Sequence, residues 1–245
     1  MRDPCLPPGQ RIYVIGDLHG CHDLFCQLIG LIRQDNAGRQ RARVRLVLLG
    51  DLIDSGPHPA RLVESCMRIA RANADLVVLR GSHEQTMLDA LDGDLAALDS
   101  WISLGGGVTL RDWGVSNDLL DGDDLPALLA EARRRVPKSV VKWLRSLRHT
   151  LRAGSYLFVH AGIRPGFPLG FQAVRDFLWI GEEFLRSQAD HGLMVVHGHT
   201  ICTEAPDVRS NRIGIDAGSY ETGRLVALGL ERNERWTIDV SQALS

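Results

Sequence analysis

The sequence predicts an α/β (α+β) fold, and three observations carry that prediction. Over the first 84 residues, short apolar runs alternate with segments whose apolar side chains recur at helical spacing. Each run stops at a glycine followed by acidic, hydroxyl or imidazole side chains. A second series of apolar runs, separated by glycine-containing turns, resumes at residue 156. Alternating strands and helices imply parallel strands joined by right-handed crossovers. With 245 residues, 44% of them hydrophobic, the chain can fill a sizeable core. It reads as a single domain over residues 1–245 with a helical insertion at about 86–152.

The first strand, residues 12–15, runs into Gly16-Asp17-Leu18-His19-Gly20. In extended backbone, residues two apart point the same way, so Asp17 and His19 face one point in space. Residues 22–34 place Leu24, Phe25, Leu28, Ile29, Leu31 and Ile32 at helical spacing. A second strand, residues 44–49, runs into Gly50-Asp51, with Asp54 three residues on. A helix over residues 60–72 leads to a third strand, residues 76–79, and to Gly81-Ser82-His83-Glu84. All three polar clusters then emerge at the carboxyl ends of strands, where open α/β sheets bind ligands.

Residues 86–152 are helical in pattern, broken at Asp92-Gly93-Asp94 and at residues 121–124, with no evident strand. They read as a cover over the edge where the clusters meet. Residues 156–159 run into His160-Ala161-Gly162, and residues 194–196 into His197-Gly198-His199-Thr200. Residues 212–216, 225–230 and 236–240 read as strands of a second, largely antiparallel sheet.

A net charge of −2 argues against a general nucleic-acid binder or a polybasic membrane anchor. No apolar run approaches the roughly 18 residues of a membrane span, and the Pro-rich start has no apolar signal core. Five scattered cysteines without a CxxC pair indicate neither a disulfide framework nor a thiolate zinc site. A cytoplasmic location is the expectation.

One aspartate after a strand is usually a turn or helix cap. Five apolar runs that each end in glycine-associated Asp, Ser or His are a different matter. Imidazole and carboxylate donors without thiolate suit Mn²⁺, Fe²⁺ or Zn²⁺. Two cations repel, so a shared carboxylate is the natural bridge. Metals about 3.5–4 Å apart can hold a bridging hydroxide for in-line attack on phosphorus. A histidine off the metals can then protonate the leaving oxygen. His197 reads as a neighbour of the ligands or simply a strand-end side chain.

GDLHG (residues 16–20), GDLIDSG (50–56), GSHE (81–84), HAG (160–162) and GHT (198–200) together resemble the calcineurin-like metallophosphoesterases. Within these they are most similar to the bacterial and phage branch of the phosphoprotein phosphatases, the serine/threonine protein phosphatase family. The tail over residues 211–225 carries the same likeness. The resemblance implies a four-layer αββα sandwich of two mixed sheets, with the helical insertion over the active-site edge. It implies that Asp17 and His19 hold one metal, that Asp51 bridges, and that His160 and His199 hold the second. His83 would be the general acid, oriented by Asp54, and Arg164 would bind phosphate. Three positions depart from the family pattern. Ser82 stands where the family has a metal-ligating Asn, Ser55 where it has Arg, and Gly181 where related bacterial sequences carry Arg.

The expected cofactor is two divalent ions, Mn²⁺ first, with Fe²⁺ or Zn²⁺ as alternatives. The expected substrate is a phosphorylated protein or a small phosphate ester, with neither nucleic acid nor membrane as partner. The first reading is a serine/threonine, or dual-specificity, protein phosphatase. The alternative is a small-molecule phosphatase or a diadenosine-tetraphosphatase-like hydrolase. A catalytically weakened phosphate-binding scaffold is the third.

Overall fold

The computed structural model describes residues 3–242. Ten strands form two five-stranded sheets. The first contains β1 (Gln10–Ile15), β2 (Arg43–Leu48), β3 (Leu76–Val78), β9 (Arg224–Glu231) and β10 (Glu234–Ser241), in the order β10-β9-β1-β2-β3. The second contains β4 (Thr150–Ala153), β5 (Tyr156–Val159), β6 (Met194–His197), β7 (Asp207–Val208) and β8 (Arg212–Gly214), in the order β4-β5-β6-β8-β7.

Strands β1, β2 and β3 are parallel, with Ile15 opposite Leu48 and Leu48 opposite Val78. This register ends the three strands level, so the polar residues that follow each of them gather on one edge. Strands β5, β6 and β8 are also parallel, with Phe158 opposite Val196 and Val196 opposite Ile213. Their following loops meet the same edge.

Period-2 alternation builds the layers. Ile12 and Val14 of β1 point into a core shared with Tyr156, Phe158, Val196 and Ile213 of the other sheet. Tyr13 and Ile15 point the other way, against Leu28 of α1 (His22–Ala37) and Leu62 of α2 (Pro59–Ala72). On the far face, Leu157, Val159 and Val195 pack with Ile180 and Phe184. The result is helix, sheet, sheet, helix.

The C-terminal strands differ from expectation. Strand β9 joins the first sheet, antiparallel to β1, and β10 pairs with β9 outside it. Residues 225–230 are buried on both faces, the mark of a strand inside a sheet between two layers. The second sheet is therefore mixed, with a parallel centre and antiparallel edges.

The helical segment runs from α3 (Ser82–Asp92) through α4 (Leu95–Trp101), α5 (Gly107–Asp112), α6 (Asn117–Leu120) and α7 (Leu125–Arg135) to α8 (Lys138–Ser146). Residues Ile102–Gly106, kinked at Gly105, join α4 to α5. Residues 150–152, expected to be helical, instead form most of β4, which pairs antiparallel with β5. Four residues at a half-exposed edge carry too little pattern to announce a strand. Beyond β5, the described residues add a 3₁₀ turn (Leu169–Phe171) and three short α-helices: α9 (Val174–Trp179), α10 (Glu182–Leu185) and α11 (Ser219–Thr222).

Candidate metal centre

The loops after β1, β2, β3, β5 and β6 converge because glycines let backbone approach backbone. A Cβ on Gly81 would collide with the carboxylate of Asp51, and one on Gly198 with that of Asp17. Within these loops five non-glycine residues adopt left-handed backbone: His19 (φ 40°), Asp51 (46°), Asp54 (73°), Ser55 (61°) and His199 (63°). Only Arg232 shares that conformation elsewhere among the described residues. Such conformations cost on the order of 1–3 kcal/mol each and cluster at functional sites.

Asp51 stands at the centre. Its carboxylate belongs to two groups of candidate metal-binding side chains, one with His19 and His83, the other with His160 and His199. Within each group the donor atoms lie within 4.8 Å of one another. Asp51 Oδ2 lies 3.9 Å from His19 Nε2, 3.9 Å from His83 Nε2 and 3.3 Å from His160 Nε2. The opposite ring nitrogens are anchored, His19 Nδ1 to the carbonyl of Ile53 at 3.1 Å and His160 Nδ1 to that of Leu49 at 3.0 Å. Such anchoring fixes the ring and leaves Nε2 for a ligand.

Ser82, at the start of α3, reaches the second group. Its hydroxyl lies 3.3 Å from His160 Nε2 and donates to Asp51 Oδ2 at 3.2 Å. Asp17 falls outside both three-residue groups. Its Oδ2 accepts the His199 backbone N–H at 2.8 Å and lies 4.0 Å from His160 Nδ1. Its Oδ1 is buried with no hydrogen-bond partner.

His83 is held differently from the other rings. Its Nδ1 sits 2.6 Å from Asp54 Oδ2, and its backbone N–H donates to Asp51 Oδ1 at 2.9 Å. Burial pulls its pKa down, but the charge of Asp51 and the bond to Asp54 prevail and hold it up at about 9. Burial lowers His19, and burial with His160 takes His199 down to about 4. His19 and His199 are thus neutral donors with free lone pairs, whereas His83 carries a proton. His160 is raised, because Asp51 beside it outweighs the cost of burial. Burial works against ionisation of Asp51, yet His160 and His83 keep its carboxyl well below the usual range. Asp17 is pushed well up by burial, Asp216 and Asp51.

Arg164 makes none of its described contacts with this cluster. Its guanidinium reaches Asp176 at 3.4 Å and lies over the ring of Phe167. Gly181 faces open space, and Ser55 sits against Gly105 of the helical segment. His197 turns away from the metal edge, its ring against Phe184 and its Nε2 3.4 Å from Arg212 Nη1. Of the two roles open to it, the strand-end side chain is the one observed.

Five further residues take part in the site. Glu84 is fully buried, and its carboxylate accepts backbone N–H groups from Gly81, Asp51, Leu52 and Ile53. It ties the loop after β2 to the start of α3. Asp216 is buried just beyond β8, where it raises the pKa of Asp17. The signal was present, since Asp216 ends a strand as Asp17 does. Tyr220 packs its ring on His19, with 4.8 Å between centroids. Trp101 and Thr109, from the helical segment, both bond Asp54. A cleft of about 540 Å³ opens alongside, lined by Tyr220, Ser55, Cys21, Leu24, Pro57 and His58.

Five buried carboxylates (Asp17, Asp51, Asp54, Glu84, Asp216) receive no Lys or Arg hydrogen bond or salt bridge among the described residues. Burying such charge without cations is costly. Together with the orphaned Asp17 oxygen and the neutral imidazoles of His19 and His199, this donor set fits divalent metal ions.

The chain is similar to several named phosphatases. The chain is 25% identical over 250 residues to the asymmetrical bis(5'-nucleosyl)-tetraphosphatase PrpE of Bacillus mycoides (strain KBAB4), covering 94% of each chain. It is 27% identical over 160 residues to a symmetrical bis(5'-nucleosyl)-tetraphosphatase of Nitrosospira multiformis, covering 64% of this chain but only 46% of that enzyme. It is 28% identical over 224 residues to serine/threonine-protein phosphatase 1 of Salmonella typhimurium (strain LT2), covering 88% of this chain and 90% of that one. Residues 10–213 match the calcineurin-like phosphoesterase family, and the chain, a metal-dependent phosphoric ester hydrolase, belongs to it.

Proposed function

We propose that the chain is a two-metal phosphoesterase acting on small nucleotide-type phosphates. The observation that carries the two-metal reading is the position of Asp51, shared by two His/Asp groups and flanked by the His83–Asp54 pair. Asp17 and His19 would hold one ion, His160 and His199 the other, and Asp51 both, with Ser82 completing the second site directly or through water. Mn²⁺ is the proposed ion, since oxygen and imidazole donors without thiolate suit it. When bound, the ions supply Lewis acidity at a phosphoryl oxygen and an activated water. The protein's own part is to hold and deliver a proton. His83 Nδ1 is bound to Asp54, which leaves Nε2, on the side of Asp51, to protonate the leaving oxygen. Arg164 would meet the phosphate by exchanging Asp176 for it.

This order of substrates reverses the one drawn from motifs alone. Two of the relatives above are named as bis(5'-nucleosyl)-tetraphosphatases, one along almost its whole length. The 540 Å³ cleft beside Tyr220 is also of small-ligand size, within the roughly 300–1,000 Å³ common for such sites. A serine/threonine protein phosphatase is the second reading, supported by the Salmonella relative over 88% of the chain. Free cysteines suit a reducing, cytoplasmic setting, and no described helix is long and apolar enough to cross a membrane.

The test is a panel of dinucleoside tetraphosphate, phosphoserine peptide and aryl phosphate with Mn²⁺. Preference for the dinucleoside substrate is the expected result. Preference for the peptide would overturn the substrate assignment, and metal binding without any turnover would overturn the enzyme reading.

A further inference from the structure

Trp101 and Thr109 lie outside every motif that carries the phosphoesterase resemblance, yet both donate to Asp54. We propose that they are positioning residues for proton transfer, fixing the Asp54 carboxylate so that His83 stays aimed at the leaving oxygen. The inference rests on the general-acid reading of His83 given above.

Asp54 is 0% exposed, so its carboxylate depends wholly on protein donors. Oδ2 accepts from Trp101 Nε1 at 2.8 Å and from His83 Nδ1 at 2.6 Å. Oδ1 accepts from the Thr109 hydroxyl at 2.5 Å, and the same hydroxyl accepts the Asp54 backbone N–H at 2.9 Å. Thr109 therefore ties the Asp54 side chain to its own backbone. Rotating the carboxylate would strain three bonds together, so the imidazole inherits a fixed direction. In the step itself, the His83 Nε2–H bond breaks and the proton passes to the leaving oxygen. That oxygen keeps the electron pair of the breaking P–O bond. The imidazole is left neutral, with Nδ1–H still on Asp54.

The helical segment is shaped to make this contact. In a straight α-helix, residues eight apart lie about 12 Å apart along the axis, too far to meet on one carboxylate. Between them, the kink at Gly105 within Ile102–Gly106 bends the path. Gly105 has φ 99°, and a Cβ there would stand 2.8 Å from Ser55 Oγ. A Cβ on Gly106 would come within 2.6 Å of the Trp101 indole. Two of the three consecutive glycines are thus explained by the approach of this segment to Ser55 and the indole.

The test uses Trp101→Phe, Thr109→Val and Thr109→Ser, each alone and combined with His83→Gln. Hydrolysis of aryl phosphates with graded leaving groups is followed with metal content measured. Losing a bond to a charged acceptor should lower kcat by about ten- to a hundredfold for poor leaving groups, and much less for good ones. Thr109→Ser should restore the rate, metal content should hold, and the His83→Gln background should show no further loss. Equal loss across leaving groups, the same loss without His83, or loss of metal would overturn the inference. If His83→Gln itself lacks leaving-group dependence, the general-acid reading fails, and the inference with it. Should Trp101→Phe not fold, the Val and Ser variants of Thr109 carry the comparison.

Discussion

The two sides of Asp51 are built from similar residues but held in different states. On one side, His160 is fully buried, with Ser82 against it and His199 neutral nearby. On the other, His19 is neutral, but His83 is partly exposed, paired to a buried carboxylate and protonated. His83 belongs geometrically to the His19 group, but its bond to Asp54 gives it the proton-holding role. Asp51 raises both His160 and His83; His83 adds a bond to a second carboxylate, its Nδ1 anchored on Asp54 where His19 and His160 anchor theirs on carbonyls. A carbonyl orients a ring, and a second carboxylate adds to the charge that Asp51 already favours.

The largest expected effect comes from removing the shared residue. Asp51→Asn should lower kcat/KM by about a thousandfold or more and weaken both metals together, read by turnover and by metal analysis after dialysis. If only one ion is lost, Asp51 serves one side and the comparison fails. Next, His83→Ala should cost about a hundred- to ten-thousandfold on poor leaving groups while both ions stay bound. Loss of one ion equivalent would make His83 a ligand and erase the distinction between the sides.

Ser82→Asn should sharpen the second side alone, tightening one of two ions by about tenfold. Calorimetric titration reads this as one improved site beside one unchanged. Improvement of neither site would mean that Ser82 or water already serves.

The smallest effect is on pH. In the metal-free protein the His83 pKa stands at about 9, raised from the ordinary 6.5. A raised imidazole stabilises the fold fully below its unfolded value and loses that contribution as pH rises through the folded one. The stability gap between wild type and His83→Gln should therefore be widest below about pH 6.5 and shrink toward pH 9, as measured by denaturant titration. A gap that does not change with pH would show that His83 is not held charged.

What the sequence made legible follows the same divide. Strand-end polar clusters announce themselves because an apolar run, a glycine and a ligand are adjacent in the chain. Asp17, His19, Asp51, Ser82, His160 and His199 were all readable this way, and the structure brings them to one edge. The placement of β9 beside β1 was not readable, because strand pairing is a long-range choice that no local pattern encodes. Trp101 and Thr109 were hidden for a related reason. They reach Asp54 because a kink at Gly105 bends the helical segment toward the sheet edge. Arg164, which the motif assigns to phosphate, meets Asp176 among its described contacts.

The central claim is that Asp51 joins two metal sites. Electron paramagnetic resonance of the Mn²⁺-loaded chain, with the ion count determined on the same sample, tests it most directly. Two ions per chain with an exchange-coupled spectrum, lost in Asp51→Asn, is the predicted result. A single ion, or two with uncoupled spectra, would contradict it.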